Sequence, residues 1–206
     1  MGIIQIYKMK KAIISLCAIV TAAAATAIFS SCSGKPKQSR CDVEVFSPEK
    51  RYSEVKLLDV HGAVIDSTLS VRNDSIIFSR TDSLAMPYIA TLRLRNPSDS
   101  LDIVYMPIVI EGGTVSLDLT DRISLSGTPD NEALFKFLKA KNSFSAKYER
   151  ENTSHDVAKL KEDYSKFFAD QAILNKGTVV GEYIFETYRS VMTPDDLSRV
   201  KERLNN

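Results

Sequence analysis

The sequence predicts an α+β protein, an antiparallel β-sandwich or barrel-like sheet domain followed by a helical C-terminal segment. Three observations carry this. Apolar and polar residues alternate from Glu54 to Ser126, turn-forming residues interrupt the alternation at short intervals, and after Thr128 the apolar spacing lengthens to that of a helix.

The elements follow in order. Val55 and Leu57 open the series, with Val60 after them. Ile76 and Phe78 stand between Ser75 and Ser79. Tyr88, Ala90, Leu92 and Leu94 alternate with Thr91, Arg93 and Arg95. Val115, Leu117 and Leu119 alternate with Thr114, Ser116 and Asp118, and Ile123 and Leu125 close the set. Successive side chains of a strand point to opposite faces, so each run reads as a half-buried strand. Ile103 to Ile110 is apolar almost throughout, as in a strand covered on both faces. Pro107 within it has no N–H to give a ladder and points to an edge or a bulge, so the two expectations conflict. His61-Gly62, Asn73-Asp74, Asn96-Pro97-Ser98-Asp99 and Gly112-Gly113 read as turns, the last as a hairpin turn after Glu111.

Thr128-Pro129-Asp130 then reads as N-cap, N1 proline and acidic first turn. Leu134, Phe137, Leu138, Phe144 and Tyr148 recur at helical spacing. A second helix follows Ser154, carries Val157, Leu160, Tyr164, Phe167 and Phe168, and ends at Asn175-Lys176-Gly177. Val180, Ile184, Tyr188 and Val191 mark a third. Thr193-Pro194-Asp195-Asp196 starts a fourth, with Leu197, Val200 and Leu204 on its stripe. Aromatic stripes at this spacing read as core rather than as a cofactor site.

The N-terminus has a different grammar. Lys8, Lys10 and Lys11 precede an apolar stretch from Ala12 to Phe29, and Phe29-Ser30-Ser31-Cys32 follows. A basic start, an apolar stretch and small residues before a polar break describe a secretory signal. The stretch is long enough for a short retained helix, but the small residues before Cys32 and the polar Ser33-Gly34-Lys35-Pro36-Lys37 after it favour cleavage. The four residues ending at Cys32 are similar to a bacterial lipobox, with Phe29 where an aliphatic residue is usual. That resemblance implies cleavage before Cys32 and a lipid on its thiol. A single acyl chain holds a membrane only marginally, so two or three chains on Cys32 would make the anchor. The expected organisation is a lipoprotein signal peptide at 1–31, a flexible tether at 32–52, a β-sandwich domain at 53–127 and a helical segment at 128–206. In the tether, Lys35, Lys37 and Arg40 read as solvated linker charges.

Bulk numbers bound the rest. The 206 residues carry 27 basic and 26 acidic side chains. Losing residues 1–31 removes three lysines and leaves 24 against 26. Such a balance gives no nucleic-acid footprint and argues against a large basic membrane-binding face. Of three cysteines, Cys17 lies in the apolar stretch, Cys32 is the lipidation candidate and Cys41 stands alone. No CxxC occurs.

Candidate chemistry is thin. His61, Asp66 and Ser67 are the residue types of a hydrolytic triad, but they fall within one hairpin-like stretch, where alternation sends neighbours to opposite faces. His155 beside Asp156 lacks further ligands, since the chain has two histidines, so no metal is expected. Glu111-Gly112-Gly113 lacks the Gly-Lys-Ser/Thr ending of a phosphate loop. Gly127-Thr128 precedes a helix N-terminus, where anions bind, but Asp130 in the first turn opposes one. Lys136, Lys139, Lys141 and Lys147 share their helix with Glu132, Glu149 and Arg150, as on a solvated face.

Two blocks carry a resemblance. Val64-Ile65-Asp66-Ser67 with Val71 to Phe78 is one. The closer is Pro107-Ile108-Val109-Ile110-Glu111-Gly112-Gly113-Thr114-Val115, followed by Leu125-Ser126-Gly127-Thr128-Pro129 and Asn131. Together they resemble an uncharacterised envelope domain found N-terminal to thioredoxin-like, alkyl-hydroperoxide-reductase-type thiol–disulfide oxidoreductases. In that family the blocks are a strand–Glu-Gly-Gly–strand hairpin and a Gly-Thr-x-x-Asn junction into the first helix. The resemblance implies this fold and an envelope location. The redox members continue into a domain with a CxxC. This chain has none and stops at Asn206, so no residue here inherits redox chemistry.

The expectation is therefore a non-enzymatic lipoprotein of the bacterial cell envelope, facing the periplasm or the cell surface. It would hold the membrane through lipid on Cys32 and serve as a binding or scaffold module for a protein partner, with no cofactor and no nucleic acid. The alternative is an accessory or truncated relative of a thioredoxin-like oxidoreductase, docking on a redox partner.

Overall fold

The first strand lies where a tether was expected. Strand β1 (Ser39–Phe46) is central in the larger of two sheets. Cys41, Val43 and Val45 are buried and alternate with Arg40, Asp42, Glu44 and the exposed Phe46. Burying an aliphatic side chain contributes about 1.5–3 kcal/mol, so Val43 and Val45 alone outweigh the polar character of the segment. Arg40 is no linker charge: its guanidinium donates to Asp42 Oδ1 at 2.9 Å and to Ser79 Oγ at 3.2 Å. Ser47 and Tyr52 are buried too, and Tyr52 N–H donates to Ser47 Oγ at 3.1 Å. The tether thus cannot extend past residue 38.

The computed structural model describes residues 39–48, 51–67, 70–72, 75–82, 87–120, 122–151 and 156–205. After β1 come β2 (Glu54–Leu58), β3 (Val64–Asp66), β4 (Ser70–Arg72), β5 (Ser75–Asp82), β6 (Tyr88–Asn96), β7 (Asp99–Ile110), β8 (Gly113–Asp118) and β9 (Ser124–Ser126). Four helices follow: α1 (Pro129–Glu151), α2 (Val157–Leu174), α3 (Val179–Tyr188), continued by a 3-10 turn at Arg189–Val191, and α4 (Pro194–Asn205).

The strands form two open sheets, ordered β4-β5-β1-β8-β9 and β3-β2-β6-β7. The fold is α+β as expected, a two-sheet arrangement with open edges rather than a closed barrel. One pairing departs from the antiparallel expectation, since β1 runs parallel to β8, with Val45 in register with Leu117. The Glu111-Gly112-Gly113 segment is likewise no hairpin. Strand β7 pairs with β6 and β8 pairs with β1 and β9, so the chain crosses there from one sheet to the other. Alternation tells which face a side chain takes and not which strand lies beside it.

Pro107 resolves in favour of the edge, since β7 ends the four-stranded sheet and Pro107 faces Thr91. The strand is buried on both faces only at Ile108, Val109 and Ile110. There α1 packs on its outer side.

Inward residues of both sheets, such as Val43, Val115, Leu125, Leu57, Leu92 and Ile108, share one core with Leu134, Phe137, Phe168, Val180, Ile184 and Val200 of the helices. The boundary expected at 127/128 is a change of secondary structure within one body. Between the helices, Tyr188 stacks on Phe168 with ring centroids 3.9 Å apart and meets Phe137 edge-on at 5.9 Å. Phe144 stacks on Phe167 at 4.5 Å. The aromatic stripes are core, as their spacing implied.

Candidate functional site

Cys32, the lipidation candidate, and Cys17 lie outside the described residues. So do Ser154 and His155. Cys41 is buried in β1. Among the described residues no helix is long and apolar enough to cross a membrane, and no three His, Cys, Asp or Glu side chains are placed to hold a metal ion.

Residues of the second of the two motif blocks meet at one place, where β7 hands over to β8 and α1 begins. The side-chain amide of Asn131, fully buried, accepts from Val109 N–H at 2.9 Å and donates to Val109 C=O at 2.8 Å. The same nitrogen donates to Thr128 Oγ1 at 2.8 Å. Glu111 Oε1 accepts from the N–H groups of Asp130 and Asn131, at 3.0 and 3.2 Å. A helix N-terminus leaves such donors without intrahelical partners and favours negative charge. The helix start at Thr128 was expected to be capped rather than to bind an outside anion, and the carboxylate that caps it comes from Glu111. Thr128 sits at the N-cap position, where its C=O accepts from Glu132 N–H at 3.0 Å. Its hydroxyl serves Asn131 instead of the helix. Burial, and then the charge of Glu111, raise the Asp130 carboxyl above its ordinary pKa.

Both glycines of this junction are forced. Gly127 has φ +105°, and a Cβ there would lie 2.2 Å from the Thr114 carbonyl oxygen. Gly113 has φ +126°, and its Cβ would meet Thr128 Cγ2 at 3.1 Å. The cluster locks helix to sheet. Its hydrogen bonds join the β7 edge to the first turn of α1.

Two further polar clusters hold elements together. Arg51 and Tyr52 donate to opposite oxygens of Asp102, each at 3.0 Å, and Asn96 Nδ2 donates to it at 3.2 Å. Burial works to raise the Asp102 pKa, but the hydrogen bonds from Arg51, Asn96 and Tyr52 outweigh it and leave it lowered. Burial, then the hydrogen bond to Asp102, push the Tyr52 hydroxyl up to about 12. Between helices, the buried Ser165 donates to Asp196 Oδ2 at 2.5 Å and accepts from Thr193 N–H at 2.7 Å. Arg199 bridges Asp196 at 2.8 Å and Asp170 at 2.6 Å.

The candidate triad does not assemble. His61 is exposed in the β2–β3 turn, where Asp59 Oδ1 accepts from the N–H groups of His61 and Ala63 at 2.8 Å each. Asp66 is in register with Leu57 on β3, and Ser67 is exposed beyond it. Asp156 caps α2 by accepting from Ala158 N–H at 3.0 Å and Lys159 N–H at 3.1 Å. Lys136 and Lys147 are exposed along α1, while Lys141 is drawn to Tyr188, donating to its hydroxyl at 3.2 Å.

One surface was not singled out in the sequence: the outer face of the four-stranded sheet. Its rows are Glu54–Arg95–Ile103 and Lys56–Arg93–Tyr105, read across β2, β6 and β7. One end of the face is closed, with Leu58, Ile89 and Val109 buried where α3 and α1 pack on β6 and β7. At the other end Tyr105 is 53% and Leu101 70% exposed. The backbone edge beside them is interrupted at three points. Asn131 takes Val109, Pro107 has no N–H, and Leu101 N–H donates to Asp99 Oδ1 at 3.0 Å. By the two-residue alternation of the ladder, Ile103 and Tyr105 turn their N–H and C=O outward as Val109 does. The signal for this face was the Arg93 and Arg95 alternation itself, which marks an outer surface without saying what else shares it.

No protein-family model matches the chain, and no curated protein matches it.

Proposed function

We propose that the protein is a non-enzymatic, lipid-anchored lipoprotein of the bacterial cell envelope that serves as a binding or scaffold module. The observation that carries this reading is the order Lys8-Lys10-Lys11, apolar stretch, small residues, Cys32. It is supported by what surrounds it. The polar clusters of the folded part spend their hydrogen bonds on holding elements together, and the residue types of a triad do not converge. Six residues, 33–38, separate Cys32 from β1. A chain of that length reaches at most about 25 Å when fully extended, so an acyl group on Cys32 would keep the fold close to the bilayer. Radiolabelled fatty acid fed to expressing cells tests the anchor. The parent should take the label and sediment with membranes, and Cys32→Ser should do neither. A Cys32→Ser chain that stays with the membrane, beside an unlabelled parent, removes the anchor. Turnover of ester or phosphate substrates by the purified chain would end the non-enzymatic reading.

The family resemblance supports a second reading, an accessory that docks on a thioredoxin-like redox partner. What favours it is that residues of the Glu-Gly-Gly and Gly-Thr-x-x-Asn motifs meet in one structural cluster, as a shared motif would require. That task belongs to the fold, and it brings no redox chemistry to this chain. Co-purification with a thioredoxin-like protein is the measurement that would select this reading.

A further inference from the structure

The outer face of the four-stranded sheet carries a charge arrangement that folding alone does not favour. In one row Glu54 and Arg95 face each other and pair at 3.2 Å. In the next row Lys56 directly faces Arg93, and neither makes an ion pair with a described residue. Like charges directly opposite on a sheet face destabilise it. Arg93 is also the cross-strand neighbour of Tyr105, and the exposed Leu101 follows on the same strand, in the irregular stretch between the Arg95–Ile103 and Asn96–Asp99 pairs. On the edge of β7 Pro107 has no N–H and Asp99 Oδ1 takes the Leu101 N–H, while the side chains of Tyr105 and Leu101 stay exposed between and beside them.

From this we infer that Lys56, Arg93, Tyr105 and Leu101 form a small docking patch for an anionic bilayer surface. The two cations complement lipid phosphates, and the half-exposed phenol and the leucine suit the headgroup zone, where amphipathic aromatic and apolar side chains settle. Whole-chain charge balance argues against a large basic face and leaves room for this local one, because Glu54, the acidic residue in the adjoining row, is paired with Arg95. The inference deepens the lipoprotein reading by naming how the anchored fold meets the membrane, and it rests on that reading for the nearness of the bilayer.

The test uses the un-acylated chain from Ser33 to Asn206, which contains the whole compact unit beginning at Pro36 with its single core. Co-sedimentation with phosphatidylglycerol-containing vesicles should exceed that with pure phosphatidylcholine vesicles by about tenfold and should fall with added salt. Lys56→Glu with Arg93→Glu should lose that excess, and the milder Lys56→Gln with Arg93→Gln, checked for an unchanged circular dichroism spectrum, should lose most of it. Tyr105→Ser should weaken binding several-fold. Lys136→Glu with Lys161→Glu, on the helices, should bind like the parent. Equal binding to both vesicle types, or equal losses from the helix pair, overturns the patch. So does polyglutamate that displaces the chain from vesicles at low concentration, which would make an acidic protein the partner. Because this chain carries no acyl group, its failure leaves Cys32 anchoring untouched, while an unlabelled parent removes the anchor and leaves the patch.

Discussion

The side-chain amide of Asn131 makes to Val109 both of the hydrogen bonds that a neighbouring strand would make. It ends the sheet edge from the first turn of the helix that covers it. Replacing Asn131 with Ala leaves a buried N–H and a buried C=O without partners, and each such loss costs about 1–3 kcal/mol. Urea unfolding of Asn131→Ala should show a destabilisation of about 2–4 kcal/mol, and amide exchange at Val109 should quicken out of proportion to its neighbours.

Glycines at positive φ are not equivalent here. A methyl group added at Gly62 (φ +81°) would meet nothing within 4 Å, whereas the Cβ of Gly127 would strike backbone at 2.2 Å. Gly62→Ala should cost about 1 kcal/mol for the left-handed conformation alone. Gly127→Ala should cost about 3 kcal/mol or more, because the junction must also part. Similar midpoints for the two variants in thermal unfolding would refute the close approach.

The Glu111 carboxylate caps α1 and burdens Asp130 at once. Glu111→Gln should destabilise by about 1 kcal/mol, from a weaker acceptor at the helix start. In the same variant the raised Asp130 pKa should move down toward the ordinary carboxylate value, read by NMR titration of its side chain. It should stay above that value, since burial is the larger cause.

Two ends of the pH scale report on the Arg51–Tyr52–Asp102 cluster. The Asp102 pKa is lowered in the fold from 3.8, so its contribution is present above that value and is lost as pH falls through the folded pKa. Tyr52 has the opposite sign. Its pKa rises from 10.0 to about 12, so the fold holds the proton more tightly than the unfolded chain does. That contribution is full below pH 10 and disappears as pH rises toward 12. Tyr52→Phe should therefore cost about 1 kcal/mol at neutral pH, and its gap from the parent should shrink through the alkaline window in denaturant titrations.

Most of the fold was legible in the sequence because alternation and helical spacing report burial directly. Val55 and Leu57, Leu92 and Leu94, and Val115 and Leu117 fall on the core side as their spacing implied. The helix start at Thr193 is likewise where its residues placed it, with Asp196 N–H donating to Thr193 Oγ1 at 3.3 Å. Strand β1 was lost although Cys41, Val43 and Val45 alternate, because its outer face carries charges and its neighbours Lys35, Pro36 and Lys37 suggest a linker. Partners were not legible at all. Nothing local in Glu111-Gly112-Gly113 says that the next strand joins a different sheet, and nothing near Asn131 says that its amide will serve Val109. The Lys56–Arg93 opposition needs the register between β2 and β6, which only the folded chain supplies.

The parallel pairing of β1 with β8 sets an order of events for a chain made N-terminus first. In β1, Val45 lies between Ile76 of one neighbour and Leu117 of the other. The strand nearest the proposed lipid therefore emerges first and must wait for partners from far downstream. Contacts so distant along the chain close slowly. During that wait Cys41, Val43 and Val45 stay open to water, and β1 is held on both sides only once β8 arrives.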